Sequence, residues 1–269
     1  MVSARPPKGL HPTRAQAALA WAVHAFTASS AIFALLSLDA IERGQFREAL
    51  LWLLAALAVD GVDGSLARAV HIKARAPRID GETLDLIVDY LTYVFVPTMF
   101  IWRAGLVPEP LAFPLAAAIQ LSSLYLFTRR DMKTDDNYFR GFPALWNVVA
   151  FYLFVSGASP IAGAVTVAAF AAMTFAPVHF IHPFRVREFQ PWPPVLATIW
   201  AAATAALLWP GWSEGLRSLW LGLSLASGAL LLVAGLLRTL RGNRSAVEQN
   251  AGGVGGERVE ERDGEIADR

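Results

Sequence analysis

Apolar residues fall into eight long runs separated by short polar stretches, near residues 17 to 38, 47 to 66, 84 to 103, 110 to 128, 142 to 157, 160 to 181, 194 to 210 and 217 to 238. A helix needs roughly 20 apolar residues to cross the hydrocarbon core of a bilayer. The pattern predicts an all-α fold, a polytopic membrane helical bundle with about eight transmembrane helices. The second run is the least regular, because unbroken apolar sequence extends only from Ala49 to Val59 before Asp60. Its polar residues must then face protein rather than lipid. Residues 1–241 read as one membrane domain. Residues 242–269 are rich in Gly, Glu and Arg, lack apolar periodicity and predict a disordered cytoplasmic tail. The first run follows basic residues, as a secretory signal does. At about 22 residues it exceeds the roughly 7–15 of a cleaved signal core, which predicts a retained span.

Composition agrees: 55% of residues are apolar and 17% charged, with a mean hydropathy of +0.43, outside the range of soluble domains. The chain has no cysteine, which excludes disulfides, thiolate nucleophiles and thiolate metal sites. Charge sharpens the topology. With both termini in the cytoplasm, only Arg43, Arg47, Arg103 and Arg217 fall outside. All other Lys and Arg residues lie on the inner face, as the positive-inside rule demands.

Two polar stripes interrupt this apolar background. The first is Asp60-Gly-Val-Asp63-Gly64-Ser-Leu-Ala67-Arg68 and the second is Gly81-Glu-Thr-Leu-Asp85-Leu-Ile-Val-Asp89. On a helix each set lines one face. An antiparallel hairpin of the two segments would bring four aspartates into one volume, where only cations or protons relieve their repulsion. A divalent-metal site follows, near the cytoplasmic leaflet. Gly64 and Ala67 would let a bulky phosphate-bearing ligand approach the backbone, and Arg68 adds a guanidinium fork suited to phosphate. The plainer alternative, helix-end charges paired with loop Arg and Lys, leaves the phase of these residues accidental.

At these residues the chain resembles the CDP-alcohol phosphatidyltransferase family. That family's signature is two aspartates three apart, Gly, Ala-Arg, a spacer, then Gly and two aspartates at four-residue steps. Asp60, Asp63, Gly64, Ala67, Arg68, Gly81, Asp85 and Asp89 match it in full. Twelve residues separate Arg68 from Gly81, more than in most of the family; this spacer and the eight spans resemble the branch that uses choline. The resemblance implies transfer of the phosphatidyl group of CDP-diacylglycerol to choline with release of CMP. Asp60, Asp63, Asp85 and Asp89 would bind Mg2+ or Mn2+, and Asp85 and Asp89 would act catalytically, with Asp89 accepting the hydroxyl proton. Asp60, Gly64, Ala67, Arg68 and Gly81 would hold the nucleotide and its phosphates. It further implies a homodimer in the bacterial inner membrane.

The loop from Asp135 to Asn147 places Tyr138, Phe139 and Trp146 beside Asp135 and Asp136. Rings next to acids are what a quaternary ammonium requires, which makes these three candidate acceptor contacts. The same pattern also describes an interfacial aromatic belt. Serine, glycerol 3-phosphate or an inositol compound are alternative acceptors; an anionic one would need cations near the aspartates, and Arg129, Arg130, Arg140, Arg185 and Arg187 are available. His179 and His182, three apart, could share a metal or meet a lipid phosphate. Trp102, Trp192, Trp209 and Trp212 read as interface anchors. A divalent-cation transporter is the rival from another class, since intramembrane acids also build ion pathways. The confinement of the acids to one membrane face, with Ala-Arg beside them, argues against it.

Overall fold

The computed structural model describes residues 13–70, 75–76 and 78–242. Arg5, Lys8, Lys73 and the tail beyond Gly242 lie outside the described residues. Eight helices form among those described. They are α1 (Arg14–Glu42), α2 (Phe46–Ala69), α3 (Gly81–Arg103), α4 (Glu109–Thr128), α5 (Trp146–Val155), α6 (Pro160–Met173), α7 (Trp192–Leu207) and α8 (Glu214–Arg241). Five of them, α1, α2, α3, α4 and α8, are long and apolar enough to cross a membrane. Ile32, Leu35, Phe113, Leu121, Ile161 and Leu230 point outward and exposed, an apolar exterior that suits lipid rather than water.

α1 starts at a capping box in which Thr13 and Gln16 satisfy each other's backbone amides. It turns back through Gly44, at φ 70°, into α2, and the Ser37 hydroxyl donates to the Ala49 carbonyl at 2.9 Å across the pair. α3 packs against α1 and carries a π-helical stretch at Tyr90–Phe95, where Val96 N–H reaches the Leu91 carbonyl. Pro97 follows at once. Its missing N–H and its ring clash with an ordinary helical turn, and the wider π turn accommodates both. Trp146, Phe100, Ile119 and Val94 fill the core, with the Trp146 indole donating to Ser123 Oγ at 2.8 Å.

Two predicted spans are shorter than the apolar pattern indicated. The fifth begins at Trp146 rather than 142, because Gly141 and Ala144 adopt positive φ around Pro143. The sixth ends at Met173 rather than 181. Pro177 disfavours helix in the residue before it, and the β-branched and aromatic residues beyond pair as a strand instead. Strands β1 (Tyr138–Arg140) and β2 (His179–Ile181) are antiparallel, with Tyr138 opposite Ile181, Phe139 opposite Phe180 and Arg140 opposite His179. α8 seats directly on β2. A Cβ on Gly235 would lie 2.3 Å from the His179 carbonyl oxygen, and Thr239 Oγ1 accepts from the His179 amide at 2.8 Å.

Candidate active site

Two helices supply the acids. Asp80 caps α3 by accepting from the amides of Glu82 and Thr83, which starts the helix at Gly81. Gly81, Asp85 and Asp89 then follow along one face. The last turns of α2 bring Asp60 opposite them. One carboxylate oxygen from each of Asp60, Asp85 and Asp89 lies within 4.8 Å of the others. Three hard oxygen donors at this separation, none of them exposed, fit a divalent cation of the Mg2+ or Mn2+ kind. Asp63 is set apart from that triad. It is only 5% exposed and sits against the Thr27 hydroxyl of α1.

Neighbours that the motif does not contain complete the site. Tyr93 donates its hydroxyl to Asp60 Oδ2, fixing that carboxylate's orientation. Its signal was present in the chain, since position 93 continues the four-residue steps from 81, 85 and 89. Gly81 faces His24 of α1. A Cβ there would come within 3.1 Å of the imidazole, so the missing side chain lets His24 approach α3 closely. Among the described residues, His24 Nε2 is buried without a hydrogen-bond partner. Gly64 lies beneath two guanidiniums, with Arg68 Nη1 3.4 Å and Arg185 Nη2 3.9 Å from the place its Cβ would take. Ala67 is half-buried on the same face.

The small sheet forms the other wall. Lys133 bridges to Phe139 alongside β1, and its ammonium lies 4.8 Å from the Phe139 ring centroid. His182 stacks on the same ring at 5.8 Å and 7°. Burial, then Arg185, push the Lys133 ammonium below its ordinary value, and Asp89, Asp85 and Asp60 oppose them. Burial together with Lys133, Arg185 and Arg68 pushes the His182 imidazole down to about 4, so it is neutral at neutral pH. Three cations and the acids therefore converge around one volume.

The aromatic residues expected to cradle an ammonium are already engaged. Tyr138 is 0% exposed and donates to Glu188 Oε2, while the Arg238 guanidinium lies 5.7 Å from its ring centroid and pairs with Asp136 at 2.7 Å. The protein's own arginine thus occupies the face of this ring and one of the loop's acids. Trp146, also 0% exposed, is a core residue. Phe139 alone stands beside the acids, with Lys133 and His182 against it. This corrects the expectation for Tyr138 and Trp146, whose burial leaves no face for an acceptor. His179 turns towards Thr239 and His182 towards Phe139, so the pair does not share a site. Of the arginines held in reserve for an anionic acceptor, Arg129 pairs with Asp131 at 2.8 Å and Arg140 lies 4.0 Å from the same carboxylate. Arg185 reaches the acids' surroundings.

An acidic triad on two membrane helices, beside a Gly-Ala-Arg stripe and cations that pair with no acid among the described residues, is the outline of a phosphotransfer site. The family model for CDP-alcohol phosphatidyltransferase matches residues 18–200, and the chain belongs to that family. It is 45% identical over 202 residues to the phosphatidylcholine synthase of Pseudomonas aeruginosa, covering 75% of this chain and 85% of that one. It is 40% identical over 183 residues to the phosphatidylcholine synthase of Agrobacterium fabrum, covering 68% and 76%. With that of Rhizobium meliloti it shares 41% over 172 residues, 64% and 71% of the two chains.

Proposed function

We propose that this protein transfers the phosphatidyl group of CDP-diacylglycerol to choline, giving phosphatidylcholine and CMP. The observation that carries the reading is the Asp60, Asp85 and Asp89 triad in a chain whose relatives bear the name phosphatidylcholine synthase. The choline hydroxyl attacks the phosphorus that bears the diacylglycerol. A new P–O bond forms there, the bond to the CMP oxygen breaks, and the hydroxyl proton must leave. Asp89 stands in the triad to accept that proton, and Asp60, held by Tyr93, keeps its carboxylate aimed at the same volume. Asp60, Asp85 and Asp89, with Asp63 behind them, would hold Mg2+ or Mn2+. Such an ion, when bound, neutralises charge on the diphosphate and acidifies a nearby hydroxyl. Arg68 over Gly64 contacts the nucleotide's phosphates.

In the cell the protein resides in the bacterial inner membrane as a homodimer, with both termini and the acids facing the cytoplasm, where choline and CMP are soluble. A second acceptor class has one observation in its favour: Lys133 and Arg185 lie near the acids and would suit an anionic alcohol such as glycerol 3-phosphate. The test is CMP release by the detergent-purified protein with CDP-diacylglycerol and Mn2+, each alcohol offered separately. Choline should support turnover and serine, inositol and glycerol 3-phosphate should not. Product with glycerol 3-phosphate alone rejects choline, and no CMP with any alcohol rejects the enzyme reading.

A further inference from the structure

We propose that Lys133 and Arg185, brought to the acids by the β1–β2 sheet, form with Arg68 a clamp on the donor's diphosphate. The proposal rests on the CDP-diacylglycerol reading above and adds two residues outside the motif to its donor site. Three observations converge on it. First, the sheet places both cations: Lys133 pairs with Phe139 of β1, and Arg185 follows β2 by a short turn in which its amide bonds the His182 carbonyl at 3.1 Å. Second, Arg68 and Arg185 converge above Gly64, their Nη1 and Nη2 atoms 3.4 and 3.9 Å from the place its Cβ would take, so two guanidiniums face one backbone position. Third, among the described residues no ion pair joins Lys133, Arg185 or Arg68 to the aspartates. Arg68 instead donates to Ser65 Oγ at 3.0 Å, and Lys133 rests on an aromatic ring.

Cations that only neutralised the acids would close onto them. These stand back, with their hydrogen-bond donors open to a ligand that brings negative charge. His182 adds an imidazole whose Nδ1 is buried without a hydrogen-bond partner among the described residues, one further nitrogen for a phosphate oxygen or an ordered water. Choline is itself a cation and gains nothing from three positive groups. In the proposed reaction the diphosphate of the donor is the anion, and guanidinium and ammonium are the groups that bind phosphate best. The sheet then serves to present Lys133 and Arg185 to the donor beside the acids.

The experiment varies CDP-diacylglycerol and choline separately in the full-length protein with Lys133→Met, Lys133→Arg and Arg185→Gln. Free CDP serves as a competing ligand, and its binding is also followed by equilibrium dialysis. A charge-assisted contact to phosphate is worth about tenfold or more in affinity. Lys133→Met and Arg185→Gln should each raise the KM for the donor and weaken CDP binding about tenfold, while the KM for choline stays within about twofold. Lys133→Arg should recover most of the loss. Donor KM and CDP binding unchanged in both neutral variants overturn the proposal. A rise confined to the acceptor's KM overturns it too, and moves the cations to the acceptor. Dialysis needs no acceptor, so a protein that refuses choline still reports on the clamp. Arg185 is exposed, so its replacement spares the core if Lys133→Met fails to fold.

Discussion

Asp85 differs from Asp63 by its company. Asp85 shares a volume with Asp60 and Asp89, whereas Asp63 leans on Thr27 of another helix. Asp85→Asn should therefore cut CMP release by more than about a hundredfold while leaving the thermal melt near that of the parent. Wild-type turnover in that variant would remove the triad from the chemistry. Tyr93 touches no substrate in this reading but orients Asp60, so Tyr93→Phe should lower kcat about tenfold to a hundredfold and weaken Mn2+ activation in parallel. Equal Mn2+ dependence of variant and parent would deny that role. His182 reports first on its burial and then on the cations around it. Its imidazole titrates near 4 in the fold against an ordinary 6.5, so the unfolded chain takes up this proton first as pH falls. The stabilisation is complete above about pH 6.5 and is lost as pH drops from there towards 4. Melting temperatures between about pH 7.5 and 5 should fall more for the parent than for His182→Gln, and parallel curves would contradict a buried imidazole flanked by cations.

At the scale of elements, the β1–β2 sheet and α8 are one unit. Gly235 lets α8 lie against the backbone of β2, and Arg238 one turn later pins the Asp135–Tyr138 loop through Asp136. Gly235→Val adds a Cβ and two methyl groups where a Cβ alone would already meet a carbonyl oxygen. It should destabilise the protein by about 1–3 kcal/mol, seen as a lower melting temperature in detergent, and raise the donor's KM as the sheet shifts Lys133 and Arg185. An unchanged melt would mean that α8 and β2 are not in close contact. The carboxylate helices were legible from the chain because four-residue steps map directly onto one helical face. The sheet was not, because three-residue strands carry no usable period and their apolar residues blend into the adjoining runs. Pro143 and Pro177, each visible in the chain, mark the places where helix gave way.

The whole molecule reads as a membrane bundle in which α5, α6 and α7, shorter than a full span, pack among longer helices. The charge asymmetry predicts that the loops at Gln45 and Ser213 face outward and the loop at Asp135 faces the cytoplasm. The chain has no cysteine, so single substitutions Gln45→Cys, Ser213→Cys and Asp135→Cys can be probed in intact cells with a membrane-impermeant maleimide. The first two should label directly and the third only after permeabilisation. Label at Asp135→Cys in intact cells would invert the topology and place the acids on the wrong side for choline and CMP. The aromatic loop shows the limit of local patterns at this scale. Rings and acids close together in the chain predicted a contact to the acceptor, whereas Asp136 and the Tyr138 ring meet Arg238, 102 residues beyond Asp136.

The amino-acid sequence by itself determined the membrane class, the eight helices, the acidic stripes and the family, because each is written in local spacing: apolar run length, helical phase and a motif held within two neighbouring segments. Only the tertiary structure decided that Asp63 stands aside, that His24 backs Gly81 and Tyr93 holds Asp60, and that Lys133 and Arg185 face the acids. Those are contacts between residues far apart in the chain, set by how helices pack and by a small sheet that no periodicity announces.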